Sequence, residues 1–406
     1  MNKKTALPIY RFTEFKLTPE WSVAFLKDFS IPIKKRAGKN KYTPMSVSSG
    51  VGLVPQMEKF GREIAGSSYK NYILIQRGDF AYNKSATKLF PEGYIAMLSE
   101  YDEAALPNSI FTCFHIANEE VCIEFIDQLF QSNYHGAWLR QFITVGARAH
   151  GSLNVDDKHL WEMPVALPKF QEQQKIADCL TSLDELITAE MKKLDILKTH
   201  KKGLLQKLLP AEGQAVPEFR FSEFKGSGEW NISPIEKLAK ITTGNKDTQN
   251  KIDDGAYPFY VRSQIIEKIN TYALDCEAIL TSGDGVGVGK NFHYVDGKFD
   301  FHQRVYCIYD FDNDVVGKYL FYYFTEHFYD RVMKLSAKNS VDSVRRAMIA
   351  EMPISISKPE EQQKIADCLS AIDDEIAAQT EKIAALKQHK KGLMQGLFPS
   401  AQEVFA

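Results

Sequence analysis

The sequence predicts an α+β chain built as a tandem duplication: two mixed α/β globular blocks and two long helices, one following each block. Two observations predict it. Residues 171–210 return as residues 360–399, without a gap, at an offset of 189, with 23 of 40 positions identical. That repeated segment carries an unbroken heptad pattern, whereas the stretches before it hold short β-type runs. At 406 residues and about 150 residues per domain, two to three domains are expected. The two ends of the unit are alike and the two middles are not, so the ends serve one shared job and the middles serve different versions of another.

Composition narrows the class. Hydrophobic residues are 44% and charged residues 25%, ordinary globular values that exclude disordered and collagen-like chains. No apolar run approaches the ~18 residues of a membrane helix. Met1-Asn2-Lys3-Lys4 is followed by Ala6, Pro8 and Tyr10 rather than an apolar core, so no signal peptide is expected. Six cysteines without a C-x-x-C pair suggest neither a disulfide scaffold nor a zinc site, and point to a reducing cytoplasm. Net charge is -2, so any nucleic-acid binding must rest on local patches.

Each half opens on a tag. Arg11-Phe12-Thr13-Glu14-Phe15-Lys16 matches Arg220-Phe221-Ser222-Glu223-Phe224-Lys225, and Glu20-Trp21 matches Glu229-Trp230. The offset here is 209, so the first half carries about 20 extra residues between its markers. The Glu14-x-Lys16 and Glu223-x-Lys225 pairs echo a nuclease fragment but lack an upstream carboxylate partner, and read as surface.

The first block, residues 1–167, is mildly basic. Lys34, Lys35, Arg36, Lys39 and Lys41 crowd one loop, a candidate phosphate contact or a solvated loop. Strand-like runs are 72–75 and 94–98, with a turn of polar and aromatic residues, including Asn83 and Lys84, at 78–85. Helical patterning returns at 118–143.

The first long helix occupies 168–210. Its seam is Ile176, Leu180, Leu183, Ile187, Glu190, Leu194, Leu197, Lys201, Leu204 and Leu208, in alternating steps of four and three. The helix would run about 34 residues, or ~50 Å, stopped by Pro210 because proline lacks the donor and clashes with the preceding turn. Cys179 and Cys368 pack beside the seam as small hydrophobes.

The second block, residues 211–356, is mildly acidic, which is awkward for DNA reading. Strand-like runs are 257–261, 278–280 and 304–309, and a helix is expected at 316–334. The run Gly283-Asp284-Gly285-Val286-Gly287-Val288-Gly289-Lys290 is neither a P-loop nor G-x-G-x-x-G, since Asp284 stands where the first P-loop glycine is needed and Asn291 where Ser or Thr is needed. Its glycines suit a tight turn or a close approach to phosphate. His302-Gln303-Arg304 suits contacts to adenine and guanine edges. Equally, Arg304 can pair with a local acid while His302 caps a turn.

The second long helix spans 357–399, with seam Ile365, Leu369, Ile372, Ile376, Gln379, Ile383, Leu386, Lys390, Leu393 and Leu397. Residues 400–406 form a C-terminal tail. If the helices pair antiparallel, Glu190 faces Lys390 and Lys201 faces Gln379; alternatively the lysines only snorkel at an exposed end. The chain shows no Walker A motif, no G-x-S-x-G, no H-E-x-x-H and no Asp/Asn-Pro-Pro-Tyr/Phe tetrapeptide.

The two E-Q-Q-K-I-A-D-C-L segments (172–180 and 361–369), their heptads and LLP/LFP ends, the R-F-x-E-F…E-W tags and the stretch 283–306 together resemble the specificity subunit of type I restriction–modification systems. The resemblance covers nearly the whole chain. It implies two target-recognition domains, each reading half of a bipartite asymmetric DNA site. It also implies an antiparallel coiled coil that sets the unread spacer and docks two methyltransferase subunits. Those subunits would bind S-adenosylmethionine and methylate adenine, and two restriction subunits using ATP and Mg would join them. The chain itself would bind no cofactor or metal and catalyse nothing. Candidate DNA contacts are Lys34, Lys35, Arg36, Lys39, Asn83 and Lys84 in the first domain, and Arg262, Ser263, Gln264, Lys290, His302, Gln303 and Arg304 in the second. Two other classes compete: a protein scaffold whose blocks read no DNA, and a self-contained nuclease or methyltransferase.

Overall fold

The computed structural model describes residues 4–405 apart from 49, 144–150, 152, 286 and 337–342. Met1, Asn2 and Lys3 of the N-terminal reading, and Val286 of the glycine-rich run, lie outside the described residues. The chain divides into two compact units, Met1–Met191 with Lys382–Ala406, and Lys192–Glu381. Each unit therefore holds one block, one half of the first long helix and one half of the second.

In the first unit a four-stranded antiparallel sheet runs in the order Ser30–Pro32, Phe111–Ile116, Phe80–Asn83, Tyr94–Met97. A second sheet runs Gly52–Pro55, Thr43–Ser48, Glu103–Leu106, Ile73–Gln76, with its two middle strands parallel. The helix Ile123–Gln131 adds Phe125 and Phe130 to a core with Trp21, Phe80 and Phe114. The expected turn at 78–85 is instead the strand Phe80–Asn83. It is buried on both faces, so it lacks the polar alternation by which a half-buried strand is recognised.

The second unit repeats this topology on a diverged sequence. Its antiparallel sheet runs Lys240–Thr243, Val305–Tyr309, Ala278–Ser282, Phe292–Val295. Its other sheet runs Ile266–Ile269, Tyr257–Tyr260, Lys298–Phe301, Leu274–Asp275, again with a parallel middle pair. The single helix Gly317–Leu335 takes the place next to the core, through Tyr319, Tyr323, Phe324 and Phe328.

Both long helices have 39 residues, Phe170–Leu208 and Pro359–Leu397, longer than expected by about one turn. The added turn precedes the first seam residue and is held by side chains. Gln173 Nε2 donates to Pro168 O at 2.9 Å and its Oε1 accepts from Cys122 N at 2.9 Å. Gln362 repeats both bonds, to Ser357 O at 2.7 Å and from Val316 N at 3.0 Å.

The opening tags dock on these helix starts. Arg11 Nε and Nη2 grip the Glu172 carboxylate at 2.6 Å each, and Trp21 Nε1 donates to the same group at 3.3 Å. Arg220 grips Glu361 the same way, at 2.6 and 2.7 Å, with its guanidinium 5.9 Å from the Trp230 ring centre. Each ion pair raises its arginine pKa through the carboxylate hydrogen bond. Glu14 pairs with Lys175 and Glu223 with Lys364. The tags and the helix starts are thus two sides of one contact, which accounts for their joint repetition.

None of the twenty seam residues is exposed. In the first unit Lys390 Nζ lies 2.6 Å from Asp184 and Lys382 Nζ 2.5 Å from Glu190. Numbers fall along one helix as they rise along the other, so the helices pair antiparallel. In the second unit Lys201 Nζ lies 2.5 Å from Asp373. This corrects the expected pairs: Glu190 meets Lys382 rather than Lys390, and Lys201 meets Asp373 rather than Gln379. Asp184 follows the seam residue Leu183, and Asp373 follows the seam residue Ile372. Each lysine therefore reaches sideways to a carboxylate one residue off the seam.

Candidate nucleic-acid interface

The two antiparallel sheets share one feature that bears on function. In the second unit, Lys240–Thr243 and Ala278–Ser282 both run antiparallel to Val305–Tyr309, and both leave the sheet at its Val305 end. Gly244–Asp247, Gly283–Asp284 and the turn His302–Arg304 therefore meet there. The backbone fastens them together: Gly283 N donates to Arg304 O at 2.7 Å, Gln303 N to Lys246 O at 2.9 Å, and His302 N to Tyr260 O at 2.9 Å. A Cβ on Gly244 would strike the Phe301 carbonyl, and one on Gly287 would strike the Asn291 amide. The glycines at this end thus permit close backbone packing.

All seven candidates of this domain come to this end. Arg262 Nη1 lies 2.9 Å from Asp284 Oδ1, and Arg304 Nε 3.8 Å from Asp284 Oδ2. Gln264 Nε2 donates to Asn291 Oδ1 at 3.1 Å and to Lys290 O at 3.3 Å. Ser263 O bonds His293 Nε2 at 3.0 Å. Gln303 Nε2 donates to Asp247 Oδ2 at 3.1 Å, and the Lys290 ammonium lies 4.8 Å from the Tyr329 ring centre.

His302 is the correction in this group. It is 2% exposed, and its Nδ1 accepts from Arg304 N at 2.9 Å, so it braces the turn and presents no edge to a ligand. Burial, then the neighbouring Arg262 charge, lowers its pKa. Sequence reasoning missed Lys246, Asp247, Asp284 and Asn291 as members of the cluster. The loop placing Lys246 and Asp247 is 56 residues away from Gln303 in sequence, so no local pattern marks it.

In the first unit the equivalent end is that of Phe111. Ser30–Pro32 and Phe80–Asn83 both run antiparallel to Phe111–Ile116 and both leave there, carrying the chain into Lys34–Lys41 and Lys84–Lys88. Lys34, Lys35, Arg36 and Lys39 are all exposed. Their loop is laid along a neighbour: Leu74 N donates to Lys35 O at 2.9 Å, Gly38 N to Lys70 O at 3.1 Å, and Arg36 Nη1 to Asn71 O at 3.1 Å. The exposed Lys70 joins the patch, an isolated lysine that a search for charge runs does not find. Asn83 is a correction, whereas Lys84 stays at this end. Asn83 is 8% exposed, drawn in because its strand is central, and Lys84 Nζ is held by Asp157 Oδ1 at 2.8 Å.

Among the described residues no group of three or more His, Cys, Asp or Glu is placed to hold a metal. No helix among them is long and apolar enough to cross a membrane.

The chain is similar to known proteins in sequence and in fold. The family model for the type I restriction modification DNA specificity domain matches twice, at residues 65–199 and 227–388. The EcoDI specificity subunit of Escherichia coli is 23% identical over 173 residues, 43% of this chain and 38% of that protein. The MjaVIII specificity subunit of Methanocaldococcus jannaschii is 24% identical over 281 residues, 62% of this chain and 65% of that protein. The chain thus spans less than two thirds of the length of these relatives. Among solved structures, the S subunit of a type I restriction–modification system from M. genitalium has a TM-score of 0.63 at 12% identity, covering 97% of this chain and 99% of that one. A chain from a type I system described for its complex assembly and conformational transition has a TM-score of 0.54 at 15% identity, over 95% and 99%. These structures share the fold.

Proposed function

Because this chain belongs to the family defined by the type I restriction modification DNA specificity domain, we propose that it is the non-catalytic subunit that gives such a complex its DNA sequence specificity. Each unit reads one half of a bipartite, asymmetric site. The long helices set the number of unread bases and dock two methyltransferase subunits. S-adenosylmethionine belongs to those partners, and ATP and Mg to two restriction subunits that join them.

The observation that carries the reading is the shared sheet end. Two domains of diverged sequence bring loops of cationic and amide side chains to the same end of the same sheet, Phe111 in one and Val305 in the other. Topology is kept while the side chains differ, as two readers of different sequences require. The acidic balance of the second block is no obstacle locally, since Lys246, Arg262, Lys290 and Arg304 gather at this end.

The test is co-expression of the full chain with its methyltransferase subunit, followed by single-molecule sequencing of host DNA for methyladenine. A split motif with a fixed gap is expected. A stable complex that leaves no methylated motif would overturn DNA reading and leave a protein scaffold.

A further inference from the structure

The second unit contains an acid where a simple DNA-binding patch would have none. Asp284 lies between Arg262 and Arg304, 2.9 and 3.8 Å from their nearest nitrogens. A carboxylate in that place repels phosphate and weakens both arginines as backbone clamps. It does not oppose contact with a neutral base edge; it hydrogen-bonds the Arg262 guanidinium and draws that of Arg304 toward it by charge.

The two arginines, and the glycine that precedes Asp284, are fixed through their backbones as well. Gly283 is bonded on both sides of the chain, N to Arg304 O and O from Val344 N, at 2.7 Å each. Arg304 N is held by His302 Nδ1 at 2.9 Å, and Arg262 O accepts from the buried Asn291 amide at 3.1 Å. An arginine fork fits phosphate as well as a base edge, and it is the Asp284 carboxylate beside it that disfavours the anion.

The orientation of Arg304 is informative. Its Nε faces Asp284, and its side chain is 65% exposed. The 3.8 Å approach to Asp284 is an ion pair without a hydrogen bond, and among the described residues the Arg304 side chain makes none, so both terminal nitrogens are left as an open fork. That fork matches the O6 and N7 acceptors of guanine in the major groove.

We propose that Arg304, aimed by Asp284, reads a guanine in the half-site recognised by the second unit, with Asp284 as the positioning residue that turns an arginine into a base reader. This inference rests on the DNA-reading function above and names the base class at one position of it.

Three complexes test it, each carrying the full chain with its methyltransferase subunit: wild type, Arg304→Lys and Asp284→Asn. Methylated motifs are read by single-molecule sequencing, and binding to unrelated DNA is titrated with salt. In the wild type the second half-site should contain an obligatory guanine. Arg304→Lys keeps the charge and loses the fork, so discrimination at that one position should fall about tenfold or more, the scale of one bidentate contact. Asp284→Asn should relax the same position while binding to unrelated DNA tightens, because an acid has been removed. The first half-site and the gap should be unchanged in both variants, which shows that the complexes are folded and assembled. A second half-site without guanine, or full discrimination in Arg304→Lys, overturns the inference and leaves the DNA-reading function standing. Weaker binding of Asp284→Asn to all DNA also overturns it. A wild-type complex that methylates no split motif instead overturns the function on which it rests.

Discussion

Lys390 and Asp184 meet at 2.6 Å, and their counterparts in the repeat, Lys201 and Asp373, meet at 2.5 Å in the other unit. The same two positions of the repeat thus form a pair twice, with the lysine coming from opposite helices. That is the consequence of folding two near-identical segments antiparallel. A polar contact between residues that both copies share is available again in reverse.

The pairing predicts a rescue. Asp184→Lys alone places two ammonium groups together beside the buried stem of Lys390 and should cost about 1–2 kcal/mol, discounted because the Asp184 side chain is 36% exposed. Adding Lys390→Asp should recover most of it. Thermal unfolding of the full chain reads this. Recovery with Glu190→Lys plus Lys390→Glu instead would support a register the structure does not have.

The buried clamps predict larger losses. Glu172 and Glu361 side chains are 1% and 2% exposed. Arg11→Ala or Arg220→Ala would strand a buried carboxylate, at about 3–5 kcal/mol. Arg11→Lys should recover only part, since an ammonium cannot grip both oxygens in the same plane. Denaturant midpoints measure the cost. The methylated motif should not change, because neither arginine lies at a sheet end.

Protonation of Asp127 predicts a pH dependence in the first unit. Burial raises its pKa to about 6, against the opposing effects of the Gln131 hydrogen bond and the Lys390 charge, while Asp184 and Glu124 push it further up. A carboxyl whose folded pKa is raised favours folding in its protonated form. Its contribution is full below the unfolded value near 3.8 and is lost as pH rises through 6. Asp127→Asn should therefore gain stability relative to wild type across that window, on the order of 1–3 kcal/mol. A difference independent of pH between 4 and 7 would contradict this.

The exposed patch of the first unit predicts a uniform effect. Replacing Lys34, Lys35, Arg36 and Lys39 together with alanine should weaken binding of the assembled complex to every DNA sequence. The salt dependence should become shallower by about 3–4 counterions. The methylated motif should keep its bases. A change confined to one base would make one of these residues a reader.

Much of this was legible in residue order. The duplication, the seam from Ile176 to Leu208 and from Ile365 to Leu397, and the matching tags all appear as local periodicity or as self-similarity, which need no knowledge of the fold. What the tags touch did not appear. Arg11 and Glu172 are 161 residues apart, and only folding brings the guanidinium to the carboxylate. The polar seam residues show the same limit. The heptad marks Lys390 as facing the partner helix, but a lysine is long enough to leave the seam, and stagger decides which acid it finds.

The candidate interface divides along the same line. Residue order determined two diverged blocks with cationic loops, the resemblance implied that they form a two-part reader, and Arg262, Lys290 and Arg304 were gathered as candidates from one domain. Only the tertiary structure decided which of the candidates face outward. His302 and Asn83 have the right donors and acceptors for a base edge, yet both are buried, one to brace a turn and one because its strand is central to a sheet. Asp284, which sequence reading treated only as a disqualified P-loop position, lies between two arginines. The reason is physical: side-chain type fixes what a group can bond, whereas burial and the nearest opposite charge, both set by distant parts of the chain, fix whether it is available to do so.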